Sequence, residues 1–227
     1  MKKIFESFSR KKQFVASQPS DPLVSLWAED VKIFKERLSF KITDGKDSIP
    51  LRLPLVGKEN IINILLASLV AKNLGMSLNQ IQKCFQSCDF SCFEKIQHRS
   101  GIDIINATYS TNPNSFTTHL EHLKLWSGKK IVVTPGIIEL GTAASRLHQE
   151  IGEKLATTAD LIILTKDYYL KDIQEGINRV NQTKKVKAQF YYLSNSSAVV
   201  QKIKHYAQQG DVILLEGRLP RAIINNL

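Results

Sequence analysis

Lys130-Ile131-Val132-Val133-Thr134, a Pro135-Gly136 turn, a helical stretch over 143–157 and then Asp160-Leu161-Ile162-Ile163-Leu164-Thr165 form the stretch that decides the fold. Two short apolar runs rich in β-branched residues bracket a helix-length segment, which reads as buried strand, helix, buried strand. Strands covered on both faces belong to parallel sheets, where helical crossovers lie on each side. The pattern repeats in both directions. Upstream, a strand over 102–106 leads to a helix over about 114–126, opened by Pro113, whose fixed φ suits a first helical turn. Downstream come a helix over 169–180, a strand over 189–193, a helix over 196–208 and a strand over 211–216. Strands interleaved with helices predict an α/β fold with a doubly wound, mainly parallel sheet and right-handed crossovers.

The first hundred residues read differently. Residues 1–22 are polar and basic, with a loop at Ser17–Pro22. Val31–Phe34 and Leu38–Ile42 carry short apolar patterns, and Asp44-Gly45 is a hairpin-turn signal. Leu51–Leu55 reads as a strand. A helix over Asn60–Leu74 follows, stopped by Gly75, and Ser77 caps a second helix reaching about Cys88. Residues 1–92 are expected to be a small α/β unit with antiparallel strands, and 101–227 the main domain. The polar segment 93–100 has little apolar surface to bury and is expected to act as a hinge, the alternative being an ordinary domain-crossing strand fixed by its neighbours.

The 227 residues are 43% hydrophobic, enough for a sizeable core, and no apolar run reaches the length of a membrane span. The N-terminal residues show no apolar stretch of a secretion signal, so a cytoplasmic location is expected. The net charge is +10, but the basic residues are scattered without aromatic interleaving, a pattern that does not favour nucleic acid as a partner. Cys84, Cys88 and Cys92 are spaced by four, so a helix would place them on one face. With no fourth ligand and no CxxC spacing they read as reduced structural thiols, and no metal site is expected.

Ligands of doubly wound sheets lie beyond the carboxyl ends of the strands. The loops to inspect are therefore 106–113, 134–142, 165–168, 193–196 and 216–221. The first, Asn106-Ala107-Thr108-Tyr109-Ser110-Thr111-Asn112-Pro113, is dense in hydroxyls and amides and runs into a helix N-terminus. It suits an anion or a sugar hydroxyl, and equally a capped strand-to-helix turn. The second, with Glu139 and the nearby His148, could bind an ammonium group or position a nucleophile. Taken alone, the residues favour Glu139 as a cap of the next helix and His148 on that helix's surface. His119 and His122, three apart on a predicted helix, read as a solvated face.

Together these segments resemble the Mur ligase family. Gly57-Lys58-Glu59-Asn60-Ile61-Ile62-Asn63 resembles the G-x-H-N-x-x-N segment closing that family's central domain. Asn106–Pro113 resembles the D-x-Y-N-A-N-P segment of its D-alanyl-D-alanine-adding branch, and Thr134–Gly141 with His148 the E-L-G…H segment. Gly210–Pro220 resembles the last strand of the C-terminal, Rossmann-like domain. The resemblance implies a part of an enzyme that uses ATP and Mg²⁺ to activate a UDP-linked muramoyl-peptide carboxylate for attack by an amino acid or dipeptide. It implies nucleotide contacts from Asn60, Asn63, Asn106, Tyr109 and Asn112, and amine-substrate contacts from Thr111, Glu139 and His148. No G-x-x-x-x-G-K-[ST] sequence occurs in these residues, and no catalytic residue is assigned to them. The family's histidine falls at Glu59, its ribose-binding aspartate at Ala107 and its linker arginine near Cys92. The lost contacts correspond to roughly a few kcal/mol of nucleotide binding. Two expectations follow. One is the C-terminal portion of a ligase whose ATPase half is on a separate chain or was removed. The other is a degenerate, non-catalytic partner or ligand-docking domain.

Overall fold

The computed structural model describes residues 14–16, 24–55, 57–90, 96–109, 111–183 and 188–227. The chain divides into two compact units, residues 1–93 and 94–227.

In the first unit, β1 (Phe14–Ala16), β2 (Val24–Ile33), β3 (Leu38–Thr43) and β4 (Ser48–Leu53) lie side by side in that order. The β2–β3 and β3–β4 pairs are antiparallel, as the sequence predicts, whereas β1 runs parallel to β2. β4 alternates strictly: Ile49, Leu51 and Leu53 are buried and Ser48, Pro50 and Arg52 exposed. One face of the sheet therefore meets the core. Pro50 is tolerated because β4 is an edge strand. Helix α1 (Glu59–Asn73) adds Ile61, Ile64, Leu65 and Leu69 to this core, and α2 (Leu78–Ser87) adds Leu78 and Ile81. Ser77 caps α2 in a reciprocal box with Gln80, and α1 stops before Gly75, both as expected. Cys84 and Cys88 are free, but they are exposed and do not serve the core as structural thiols; Cys92 lies outside the described residues.

In the second unit the order is β5-β6-β10-β7-β8-β9. The strands are β5 (Ile96–Arg99), β6 (Ile102–Ala107), β7 (Lys130–Thr134), β8 (Leu161–Leu164), β9 (Gln189–Tyr192) and β10 (Val212–Glu216). All neighbours from β6 to β9 pair in parallel, and β5 alone is antiparallel. The intervening helices are α3 (Pro113–Leu123), α4 (Ala144–Thr158), α5 (Leu170–Thr183) and α6 (Ser196–Tyr206), with α7 (Arg221–Asn226) at the end. The chain steps from β6 through β7 and β8 to β9, then returns through α6 to place β10 between β6 and β7. A right-handed crossover that reverses direction must change faces. Accordingly α3, α4 and α5 pack on one face through Phe116, Leu120, Ile151, Leu155, Ile173 and Ile177. Helices α6 and α7 cover the other through Val199, Ile203 and Ile223. Helices α4 and α5 meet closely, because a Cβ on Gly176 would fall on the carbonyl oxygen of Gln149.

The segment expected as a hinge is corrected in part. Residues 93–95 lie outside the described residues, but Ile96–Arg99 form β5, with His98 opposite Asp103. Ladder bonds to β6, and an ion pair between His98 Nδ1 and Asp103 Oδ1 at 2.7 Å, hold the polar segment in the sheet. No helix among the described residues is long and apolar enough to cross a membrane.

Candidate functional site

Placing β10 between β6 and β7 makes the loops after these three strands neighbours. They meet at Gly217. Its N–H donates to the Ala107 carbonyl at 3.0 Å. A Cβ there would stand 3.3 Å from Thr111 Cγ2 on one side and 3.3 Å from Pro135 Cδ on the other. With φ at +79°, the position also favours glycine on backbone grounds. Loops 106–113 and 134–142 thus flank loop 216–221.

Within the first loop the side chains make a compact set of turns. Asn106 Oδ1 accepts from the Thr108 amide at 3.3 Å and from its hydroxyl at 2.7 Å. Asn112 is the N-cap of α3, its Oδ1 accepting from the amides of Asn114 and Ser115, both at 3.0 Å. Tyr109 is 94% exposed. Ala107, where the resembled family carries an aspartate, is buried in the apolar core.

Thr111 reaches the most unexpected group in the domain. Its hydroxyl donates to Oε1 of Glu216, a wholly buried residue, whose Oε2 lies 2.6 Å from His119 Nδ1. The solvated face expected for His119 and His122 is therefore corrected: both are buried. Phe116, Leu120 and Leu123 recur at helical spacing and turn this side of α3 onto the sheet, and His119 lies among them. His122 packs edge-on against Trp126, with ring centroids 5.5 Å apart. The signal that could have found the pair was the apolar spacing around His119, together with an acid ending the apolar strand Val212–Glu216.

The second loop is held from inside. His148 is buried, which corrects the reading of it as a helix-surface residue. Its Nε2 accepts from the Ile137 amide at 3.0 Å, and its Nδ1 donates to the Ala144 carbonyl at 2.7 Å. Burial lowers its pKa below the ordinary histidine value, so the ring is neutral, in agreement with an acceptor role for Nε2. With both nitrogens used, His148 positions the loop. Glu139 is exposed and carries a left-handed backbone, φ +64°. It caps no helix, since the N-cap of α4 is Ala143 and no side chain caps it. A non-glycine residue in this conformation costs about 1 kcal/mol, and such strain gathers at functional loops. Asn60 and Asn63 lie one turn apart on α1 of the first unit, the former buried and the latter exposed. Among the described residues no group of three or more His, Cys, Asp or Glu side chains could hold a metal ion.

Several known proteins are similar to this chain. UDP-N-acetylmuramyl-tripeptide synthetase 2 of Oceanobacillus iheyensis is 24% identical over 213 residues, covering 88% of this chain and 41% of that protein. UDP-N-acetylmuramoyl-tripeptide–D-alanyl-D-alanine ligase of Buchnera aphidicola is 27% identical over 158 residues, covering 69% of this chain and 34% of that protein. The chain thus spans about two fifths or less of the curated relatives it matches. The crystal structure of MurF from Acinetobacter baumannii superposes with a TM-score of 0.75 at 21% identity, over 89% of this chain and 44% of that one, a likeness of fold. Residues 93–219 match the Mur ligase, glutamate ligase domain, over more than half of the sequence, and the chain belongs to the Mur ligase family.

Proposed function

We propose that this chain supplies the amine-substrate side and part of the nucleotide rim of an ATP-dependent ligase. That ligase would join an amino acid or dipeptide to a UDP-linked muramoyl peptide. Residues 1–92 would be the tail of the central domain and residues 101–227 the C-terminal domain, and the phosphate-gripping half would lie elsewhere. The meeting of loops 106–113, 134–142 and 216–221 at Gly217, in a domain of this family, carries the reading.

The donor and acceptor pattern supports a division of labour. Asn106 and Asn112 have their Oδ1 acceptors engaged, so they offer Nδ2 donors, which suit the oxygen-rich ribose and phosphates of a nucleotide. When bound, ATP would supply the phosphoryl group that activates the carboxylate. The described residues gather no ligand set for Mg²⁺. Thr111 and Glu139, with His148 holding the loop of the latter, would serve the amine. Asn60 and Asn63 would belong to the nucleotide side.

Buried, apolar Ala107 favours a second reading, a non-catalytic domain of the same family that docks a ligand or partner. Titrating the labelled chain with D-alanyl-D-alanine while following amide resonances separates the two. The ligase reading expects shifts in the three loops, saturating with a Kd of about 1 mM. If the loops do not respond at about 10 mM dipeptide, a concentration well above that Kd, the ligase reading is abandoned. Alone, the chain is expected to release no phosphate from ATP, because positioned phosphates and metal come from the other half.

A further inference from the structure

The buried Glu216 carboxylate settles which way the Thr111 hydroxyl faces. A threonine hydroxyl has one proton to donate and two lone pairs to accept with. Thr111 gives its proton to Glu216 Oε1, while His119 Nδ1 engages Oε2. Both carboxylate oxygens are thus occupied in a site closed to water, Glu216 and His119 being at most 1% exposed. What half-buried Thr111 retains is acceptor capacity alone. A phosphate or carboxylate oxygen beside it would meet lone pairs, whereas an ammonium or other N–H donor would find a hydroxyl oxygen made more basic by its bond to a carboxylate.

We propose that Glu216 is a positioning residue that sets Thr111 as an acceptor for the ammonium group of the incoming amine, and that this selects an amine over an anion at the meeting point of the three loops. The proposal rests on the ligase reading above. Three further features agree with it. Glu216 is the last residue of β10, the strand that fills the place between β6 and β7, so it sits under the loops and not beside them. The next residue, Gly217, is the point where Thr111 and Pro135 meet, so hydroxyl and loop junction are held together. Loops 106–113 and 134–142 contain no lysine or arginine in a chain of net charge +10, and Glu139 is their one formal charge. Loop 216–221 does carry Arg218 and Arg221, both exposed. These suit a ligand's carboxylate end.

Four proteins test it: the full chain, Thr111→Val, Thr111→Ser and Glu216→Gln. Two probes are used, D-alanyl-D-alanine and its N-acetyl derivative, which lacks the ammonium. Affinity is read by amide-resonance titration, whose spectra also report that each variant is folded. The full chain should bind the free dipeptide about tenfold more tightly than the acetylated one, the ratio of one charge-assisted hydrogen bond. Thr111→Val should erase that preference, and Thr111→Ser should restore it, which a merely structural role for the side chain would not produce. Glu216→Gln should reduce the preference, because its amide can donate to Thr111 and consume a lone pair. If the full chain binds neither probe, the ligase reading falls and the proposal with it. If it binds and Thr111→Val keeps the preference, the proposal alone is wrong.

Discussion

His148 and Tyr169 lie face to face, their ring centroids 3.8 Å apart and their planes 10° from parallel. The stack covers one face of a histidine whose two nitrogens are already bonded to Ile137 and Ala144. A neutral ring fits this place and an imidazolium does not, because protonation of Nε2 would set two donors against each other.

This gives a pH dependence with a definite sign. The folded pKa of His148 lies below its ordinary 6.5, burial being the largest cause. The unfolded chain therefore binds the proton first. The stability this implies is present above pH 6.5 and declines as pH falls from there toward the folded value. The His148 ring resonances should titrate below 6.5, and loop 134–142 should shift in the same step. A ring that titrates at or above 6.5 contradicts the neutral assignment.

The hairpin turn of the first unit carries the opposite kind of group. Burial alone would raise the Asp44 carboxyl, but the Asp47 amide, the Lys72 ammonium and the Lys46 amide outweigh it and pull the pKa down to about 2. A depressed carboxylate stabilises the fold above its unfolded value of 3.8, and that stability is lost as pH falls through about 2. A shift of this size corresponds to about 2 kcal/mol. In Lys72→Met the Asp44 carboxyl should titrate closer to 3.8, which carbon NMR of the side chain measures directly. An unchanged midpoint would assign the whole effect to the turn amides.

These two groups differ in how visible they were beforehand. Asp44-Gly45 announces its hairpin by residue type, and Ser77 and Pro113 announce helix starts, because capping and turn chemistry are local. The apolar strands were legible for the same reason, since Leu161–Leu164 can only be buried. Strand order was not. Nothing near Glu216 says that β10 slides between β6 and β7, and its contact with His119 spans 97 residues of chain. β5 entered only as the alternative to a hinge because its stability comes from its partner: Gln97, His98 and Arg99 have no strand signature until Asp103 stands opposite His98. Buried polar pairs are decided by tertiary adjacency, and periodicity cannot name the partner.

The close approach of α4 and α5 predicts the cost of one methyl group. On an open helix, glycine to alanine at position 176 would stabilise by about 1 kcal/mol. Here the new Cβ would collide with the Gln149 carbonyl and stand 3.0 Å from the Glu153 amide, both backbone atoms that cannot rotate away. Gly152 faces the Ile173 carbonyl in the same manner, so the contact is mutual. Gly176→Ala should therefore destabilise the domain by about 1–3 kcal/mol, with the exposed neighbour Gln174→Ala as a near-neutral control in urea unfolding. A stabilised Gly176→Ala would mean that the helices sit farther apart.

Thr165 offers the sharpest test of what the carboxyl edge of the sheet is built to hold. It follows β8 directly, 4% exposed, and its backbone N–H continues the ladder to Thr134 at 2.9 Å. Strand alternation puts its side chain on the face of Leu161 and Ile163, the face covered by α6 and α7. Its Oγ1 is buried and has no hydrogen-bond partner among the described residues. A buried hydroxyl left so costs about 1–3 kcal/mol, and valine has nearly the same shape without that cost. If Thr165 serves packing alone, Thr165→Val should raise the melting temperature by about 2–4 °C, the equivalent of roughly 1 kcal/mol in a domain pair of this size. A fall in melting temperature instead would show that the hydroxyl is satisfied in solution, by a bound water at the end of β8. Measuring the variant with and without D-alanyl-D-alanine then separates a structural water from a ligand contact, because only the latter makes the change in melting temperature depend on the dipeptide.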